Sequence, residues 1–301
     1  MDHNTSHPSP HFRHTSSDPM GNEGLFLSHA VLGTFMIGLG FWWWIQSLRR
    51  CLTFIRRSST RYTSSASYGS GCCPHQTAEG AVKIVISVLG IVVEAVTVSK
   101  GRQIQYAHYP FYAAMIVAGS VDVLMSTIIF LPDGLDYLAQ TMPLVLNAYT
   151  LRAQTYDQPI LTDASHMLSS YVYILATFAM LGEMCLPNHF VFSWIKCMMI
   201  MLVGAWQWQT GIVLNAPFPT SWKEGGHNSV MDLAIICCWQ LSCIALLQLV
   251  TLVIAAKCYG VSPNWIVASR YSTGEDERNP NDGIQYTKLL NSESGEDSYA
   301  T

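Results

Sequence analysis

His29, Asp122 and His166 have the clearest capacity for chemistry in this sequence, because two imidazoles and a carboxylate sit inside long apolar blocks. An ionisable group at such depth costs several kcal/mol unless it is paired or reaches water, so each one raises a question of function. Such a trio, with Glu94 as a further candidate, is the donor set of a zinc hydrolase that keeps one position for water. His29 and His166 also lie about a turn inside the ends of their blocks, as paired axial ligands of a haem would. Against the zinc reading, no two of these residues are four apart on one helix, and the haem reading rests on matched depth alone. The metal ligands therefore stay unassigned, no cofactor is expected, and an enzyme is the less favoured class. Asp122, Glu94, Lys196, Asn147 and the Pro143 kink are alternatively the groups that line the polar pathway of a transporter or channel. The third reading is structural: His29 or Lys196 pairs with Asp122 or Glu94, and the buried charges hold helices together.

The elements that must position these residues are apolar blocks of about 20 residues, the length that spans the hydrocarbon of a bilayer. Half of the 301 residues are hydrophobic and only 12% are charged, against roughly 25% in a globular protein. The fold class expected is all-α, a polytopic membrane bundle of seven transmembrane helices across residues 25–260. Asp122 lies near the middle of the third block, from His108 to Leu131. Tyr112, Met115, Gly119 and Ser126 share its face at helical spacing, a polar and small stripe suited to helix contacts.

Residues 1–24 are rich in His, Ser, Pro and Asn and read as a disordered tail. No cleavable signal peptide is expected, since the first apolar block is long and lacks a small-residue cleavage site. That block, about Leu25–Ser47, ends in Trp42, Trp43 and Trp44, which favour a membrane interface. Residues 48–80 form a basic, then Ser/Gly-rich loop, read as flexible. Cys51, Cys72 and Cys73 beside its arginines are palmitoylation candidates. The second span, about Ala81–Ser99, carries Glu94. The Pro132-Asp133-Gly134 turn precedes a fourth span, about Leu135–Leu151, with Gln140, Pro143 and Asn147 on one face. The fifth, about Thr162–Leu186, aligns His166, Ser170, Tyr173 and Thr177 and holds Glu183; Thr162 or Asp163 is its expected cap. The sixth, about His189–Leu214, includes Lys196 and Gln209, and the seventh runs about Ser229–Cys258. Residues 261–301 are polar and acidic, and read as a disordered cytosolic tail.

The nine cysteines have no framework spacing, so a disulfide scaffold is not expected. A net charge of −4 without a basic helix offers nothing to nucleic acid. The partner implied is the lipid bilayer itself, and the sequence does not specify an oligomeric state. Seven spans put the termini on opposite sides. Arg49, Arg50, Arg56, Arg57, Arg61, Lys257 and Arg270 outnumber Arg13, Lys100, Arg102, Arg152 and Lys223. The positive-inside rule then places the N-terminus outside or lumenal and the C-terminus in the cytosol.

The opening Ser28-His29-Ala30-Val31-Leu32-Gly33 and its tryptophan run resemble the transmembrane protein 45 family, itself of unknown function. The resemblance continues through Glu94, His108, Tyr112, Gly119, Asp122, Pro159, His166 and Glu183. Its most specific piece is Gly204, Trp206, Trp208, Gln209 and Gly211, and it ends at Cys238-Trp239. It implies a seven-pass protein of Golgi, endosomal or surface membranes without an established reaction. The non-catalytic reading, a trafficking, adaptor or scaffold type, is the one favoured. His29, Glu94, His108, Tyr112, Asp122, Asn147, His166, Glu183 and Gln209 form the polar intramembrane cluster expected, centred on Asp122. The chain departs from its relatives where they carry an acidic residue near Asn147 and histidines near Gln154, Tyr156, Ala164 and Gln240, which thins the potential ligand set. In the tail, Tyr286-Thr287-Lys288-Leu289-Leu290 has the Tyr-x-x-Leu form of a sorting signal, with Leu290 following, and implies sorting adaptors as partners.

Overall fold

The computed structural model describes residues 19–57, 62–68, 77–99, 108–127, 132–154, 158–216, 218, 222 and 227–261. These hold seven helices and, among the described residues, no strand. They are α1 (Pro19–Arg57), α2 (Thr77–Ser99), α3 (Tyr109–Thr127), α4 (Leu135–Ala153), α5 (Ile160–Cys185), α6 (Phe190–Asn215) and α7 (His227–Cys258). Five of them (α1, α3, α5, α6 and α7) are long and apolar enough to cross a membrane. The chain is an integral membrane protein on that ground: in hydrocarbon every backbone amide must bond within its own segment, which leaves the helix as the economical solution.

Helix boundaries follow local chemistry. Gly134 sits at φ 83° immediately before α4, a left-handed turn position that a Cβ would strain. Pro159, extended at φ −53° and ψ 146°, delivers the chain into α5 at Ile160. The cap expected from Thr162 or Asp163 is therefore one turn too late. At α1 the differences are larger. Helix begins at Pro19, inside the tail expected to be disordered, because proline is preorganised for a first helical position. It also runs ten residues past Ser47, into the segment expected to be loop. Leu48, Cys51, Leu52 and Ile55 recur at helical spacing there, and the first three are buried. Cys51 lies in that packed face, 6% exposed, so the sulfur offered for palmitoylation is covered by the bundle. Cys72, Cys73, Tyr286, Leu289 and Leu290 lie outside the described residues.

The helices form a ring in which α1 packs on α6, α6 on α5, α5 on α4, α4 on α3 and α3 on α2, while α1 and α2 touch little. α7 lies outside, against α6, α5 and α1. Close approach of two pairs is set by glycine. A Cβ on Gly204 would stand 2.5 Å from the Gly33 carbonyl oxygen, and one on Gly119 would stand 2.6 Å from that of Gly80. Small residues of this kind bring membrane helices into backbone contact. The core cluster runs from Leu32 to Leu52 along α1 and includes the fully buried Trp44, Tyr173, Ala176 and Met180.

Candidate functional site

The polar interior is not one cluster but two layers at opposite ends of the ring. His29 and Trp43 are 14 residues apart on α1, about 21 Å of helix rise. Because successive helices reverse direction, the beginnings of α1, α3 and α5 share one end with the close of α6. The beginnings of α2, α4 and α6 share the other with the ends of α3 and α5. His29, His108 and His166 fall at the first end; Asp122, Glu183 and Lys196 fall at the second.

The charged layer is built around Trp43. Lys83, fully buried on α2, lies 2.6 Å from Glu79 Oε1, one turn before it, and 2.8 Å from Asp122 Oδ2 on α3. Gln140 of α4 donates to the same Asp122 oxygen at 3.0 Å. Trp43 Nε1 donates to Glu79 Oε1 at 2.8 Å. Near the same indole, Lys196 Nζ is 2.5 Å from Glu183 Oε2, and Ser193 donates to the other carboxylate oxygen. The ammonium groups of Lys83 and Lys196 stand 5.3 and 5.0 Å from the Trp43 ring, within cation–π range. Both ion pairs share one aromatic wall.

The segment 62–68, expected to be part of a flexible loop, closes this layer. The Tyr68 amide donates to Glu79 Oε2 at 2.9 Å, and Lys196 donates to the Ser65 carbonyl oxygen at 2.9 Å. Tyr62 shares a 2.6 Å hydrogen bond with Ser193, and Tyr68 a 2.7 Å one with Ser47. Burial pushes both phenols above the ordinary tyrosine range, so they stay neutral hydrogen-bonding groups. The segment is ordered because Glu79, Ser47, Ser193 and Lys196, on three helices, need the donors and acceptors it supplies.

The imidazole layer is uncharged in construction. His29 Nδ1 is 2.9 Å from Gln207 Oε1, and Gln207 Nε2 donates to the Tyr173 hydroxyl at 2.8 Å. The Gln207 oxygen can only accept, so His29 carries its proton on Nδ1. Asn147 of α4 neighbours the Tyr173 hydroxyl, its amide nitrogen without a hydrogen-bond partner among the described residues. The His108 ring meets that of His29 edge to face, centroids 5.5 Å apart. His166 lies within electrostatic reach of both, its buried Nδ1 without a hydrogen-bond partner among the described residues. Gln207→Leu would leave the His29 N–H and the Tyr173 hydroxyl short of partners in a dry site. The expected cost is about 1–3 kcal/mol, read as a lower unfolding midpoint of the detergent-solubilised protein.

Each residue expected in a single cluster can now be placed. Asn147 joins His29, His108 and His166 at one end. Asp122 and Glu183 lie at the other, each beside a lysine. The pairings expected for Asp122 and Lys196 are corrected: Asp122 takes Lys83, and Lys196 takes Glu183, its neighbour across the tight Pro187-Asn188 turn. Tyr112 packs over Gly90 of α2, and Glu94, its electrostatic neighbour, has no hydrogen bond to either oxygen among the described residues. Gln209 is half-buried on α6 with no hydrogen bond to either layer among the described residues. The trio His29, Asp122 and His166 cannot share one metal ion, since Asp122 lies in the layer about 20 Å away. Among the described residues, no three His, Cys, Asp or Glu side chains are grouped to hold one.

Sequence reasoning missed Lys83, Glu79, Trp43 and Gln207. The signal for the first two was present, a Glu and a Lys four apart at the mouth of an apolar block.

Residues 133–253 match the model of a family of unknown function, DUF716. The DUF716 match spans α4 to most of α7. It therefore contains the Glu183–Lys196 pair and the Gln207–Tyr173 link, while Lys83, Asp122 and His29 precede it.

Proposed function

We propose that this chain is a seven-pass membrane protein of the transmembrane protein 45 type, non-catalytic, acting as a scaffold or adaptor in membrane traffic. The observation that carries the seven-span part is the inverted pattern of α2 and α4. Glu79, Lys83 and Glu94 all turn inward on α2, while Val82, Val85, Leu89 and Val92 are at least half exposed. On α4, Asp136, Gln140 and Asn147 are buried, while Leu138, Met142, Val145 and Tyr149 face outward. A helix with a polar inside and an apolar outside is suited to lipid, whatever its average composition.

What favours the scaffold reading is that both interior lysines are engaged by interior carboxylates. Lys83 is held between Asp122 and Glu79, and Lys196 against Glu183, with the Trp43 ring 5.3 and 5.0 Å from their ammonium groups. Ions so engaged join α1, α2, α3, α5 and α6 rather than wait for a cargo, which sets the transporter reading through Asp122 behind. The N-terminus lies in the lumen or outside the cell, and the tail that follows α7 lies in the cytosol, where sorting adaptors read Tyr286, Leu289 and Leu290. Golgi, endosomal and plasma membranes are the compartments this traffic joins. Tyr286→Ala with Leu289→Ala shifts the steady-state distribution toward the cell surface by imaging and surface biotinylation. An unchanged distribution removes the sorting role.

A further inference from the structure

α1 presents one continuous stripe to the seam it shares loosely with α2. Phe35, Gly38, Trp42, Gln46, Arg49 and Thr53 follow one another at spacings of three and four, so they share a helix face. The stripe changes character along its length, apolar through Trp42 and polar and basic from Gln46 onward.

Two cavities lie along it. The first, about 320 Å³, is walled by Phe35, Leu39 and Trp42 of α1 and by Ala78 and Val82 of α2. Gly38 opens it further: a Cβ there would meet nothing within 4 Å. The second, about 340 Å³, is lined by Gln46, Arg49, Arg50, Thr53 and Thr63. Tyr68 connects them, since it lines the first cavity and carries the Arg50 guanidinium 4.5 Å above its ring. Neither arginine has a carboxylate partner among the described residues.

We propose that this stripe binds one anionic phospholipid, its phosphate at Arg49 and Arg50 and one acyl chain in the slot beside Gly38. Dimensions support that occupant. Twenty residues counted from Phe26 bring α1 to its tryptophan run, about 30 Å of helix and a full hydrocarbon thickness. Arg49 and Arg50 then stand at headgroup level, and Gly38 lies about 17 Å deeper, near mid-bilayer. Guanidinium groups bind phosphate through paired N–H donors, and the Thr53 and Thr63 hydroxyls and the Gln46 amide add further donors. Basic residues immediately beside a span are the common recognition element for anionic lipid. A zwitterionic lipid would bring its own cation against the arginines. A soluble anion would leave the apolar slot empty.

The test uses the full-length protein in phosphatidylcholine nanodiscs. These carry a trace of phosphatidylglycerol or of phosphatidylcholine, each with a photoreactive acyl chain, and cross-linked peptides are mapped by mass spectrometry. The phosphatidylglycerol probe is expected to label the peptides around Phe35–Trp42 and Ala78–Val82 about tenfold more than the zwitterionic probe, as two surface arginines allow. Arg49→Gln with Arg50→Gln removes that preference, and Gly38→Phe blocks labelling of the slot while headgroup selectivity elsewhere is unchanged. Millimolar inorganic phosphate does not compete. Equal labelling by the two probes on the unsubstituted protein, a comparison that needs no variant to fold, means ordinary boundary lipid and overturns the proposal. Displacement by inorganic phosphate overturns it as well, in favour of a free-anion pocket.

Discussion

Replacing Lys83 by Met lowers the unfolding free energy of the protein by about 3–5 kcal/mol, the cost of stranding a buried charge. The value belongs at the top of that range, because one ammonium serves two carboxylates. Without it Glu79 and Asp122 face each other across the space Lys83 filled, and neither reaches water: Asp122 is fully buried and Glu79 is 7% exposed. Gln140, Trp43 and the Tyr68 amide still donate to these oxygens, but neutral donors do not cancel two like charges. Asp122→Asn in the Lys83→Met background should recover much of the loss, since it removes one of the stranded charges. Lys196→Met is the natural comparison, with a single carboxylate, Glu183, left behind. Denaturant unfolding in detergent, following tryptophan fluorescence, reads all three. If Lys83→Met and wild type unfold at the same denaturant concentration, the buried network is not holding α2 to α3.

The seven helices were legible in the sequence as apolar blocks bounded by turn residues, and five of them are long and apolar enough to cross a membrane. α1 beyond Ser47 was harder to read. Its last ten residues trade continuous hydrophobicity for a three-to-four periodicity carried by Leu48, Cys51, Leu52 and Ile55, amid four arginines. That periodicity is a helix signal, but it competes with a composition typical of loops. The segment 62–68 had no local signal at all. Tyr and Ser suit an exposed turn equally well, and their burial depends on Glu79, Ser193 and Ser47, which come from distant parts of the chain. The division of the interior into two layers was half legible. Counting puts His29 near the beginning of its block but Asp122 near the middle of its own, and the ion pair with Lys83 is what fixes Asp122 in the other layer. Treating every intramembrane polar residue as a member of one cluster ignored that depth. Pairing Asp122 with His29 had the same fault; Lys196 does share the layer of Asp122 but is taken by Glu183, and the cation that Asp122 takes, Lys83, was passed over because it stood close to the edge of its block.

Gly204→Val is the other substitution with a large expected effect, and its physics is steric. A Cβ on Gly204 falls 2.5 Å from the Gly33 carbonyl oxygen and 2.6 Å from the Ile37 amide nitrogen. Both are backbone atoms of α1, held by that helix's own hydrogen bonds, so no side-chain rotation relieves the contact. The helices must separate along their most extensive interface, which loosens the core contacts around Met36 and Val203 and draws Trp43 away from the two ion pairs. Overpacking costs about 1–3 kcal/mol when side chains can adjust, and here the loss reaches or exceeds the upper figure. Gly38→Ala supplies the control on the same helix. Its new methyl group meets nothing within 4 Å, and alanine is about 1 kcal/mol better than glycine in a helix interior. That variant should match or exceed wild-type stability. Opposite responses to the two glycine substitutions, measured as unfolding midpoints in the same detergent, would show that close backbone approach, and not glycine content, holds α1 against α6.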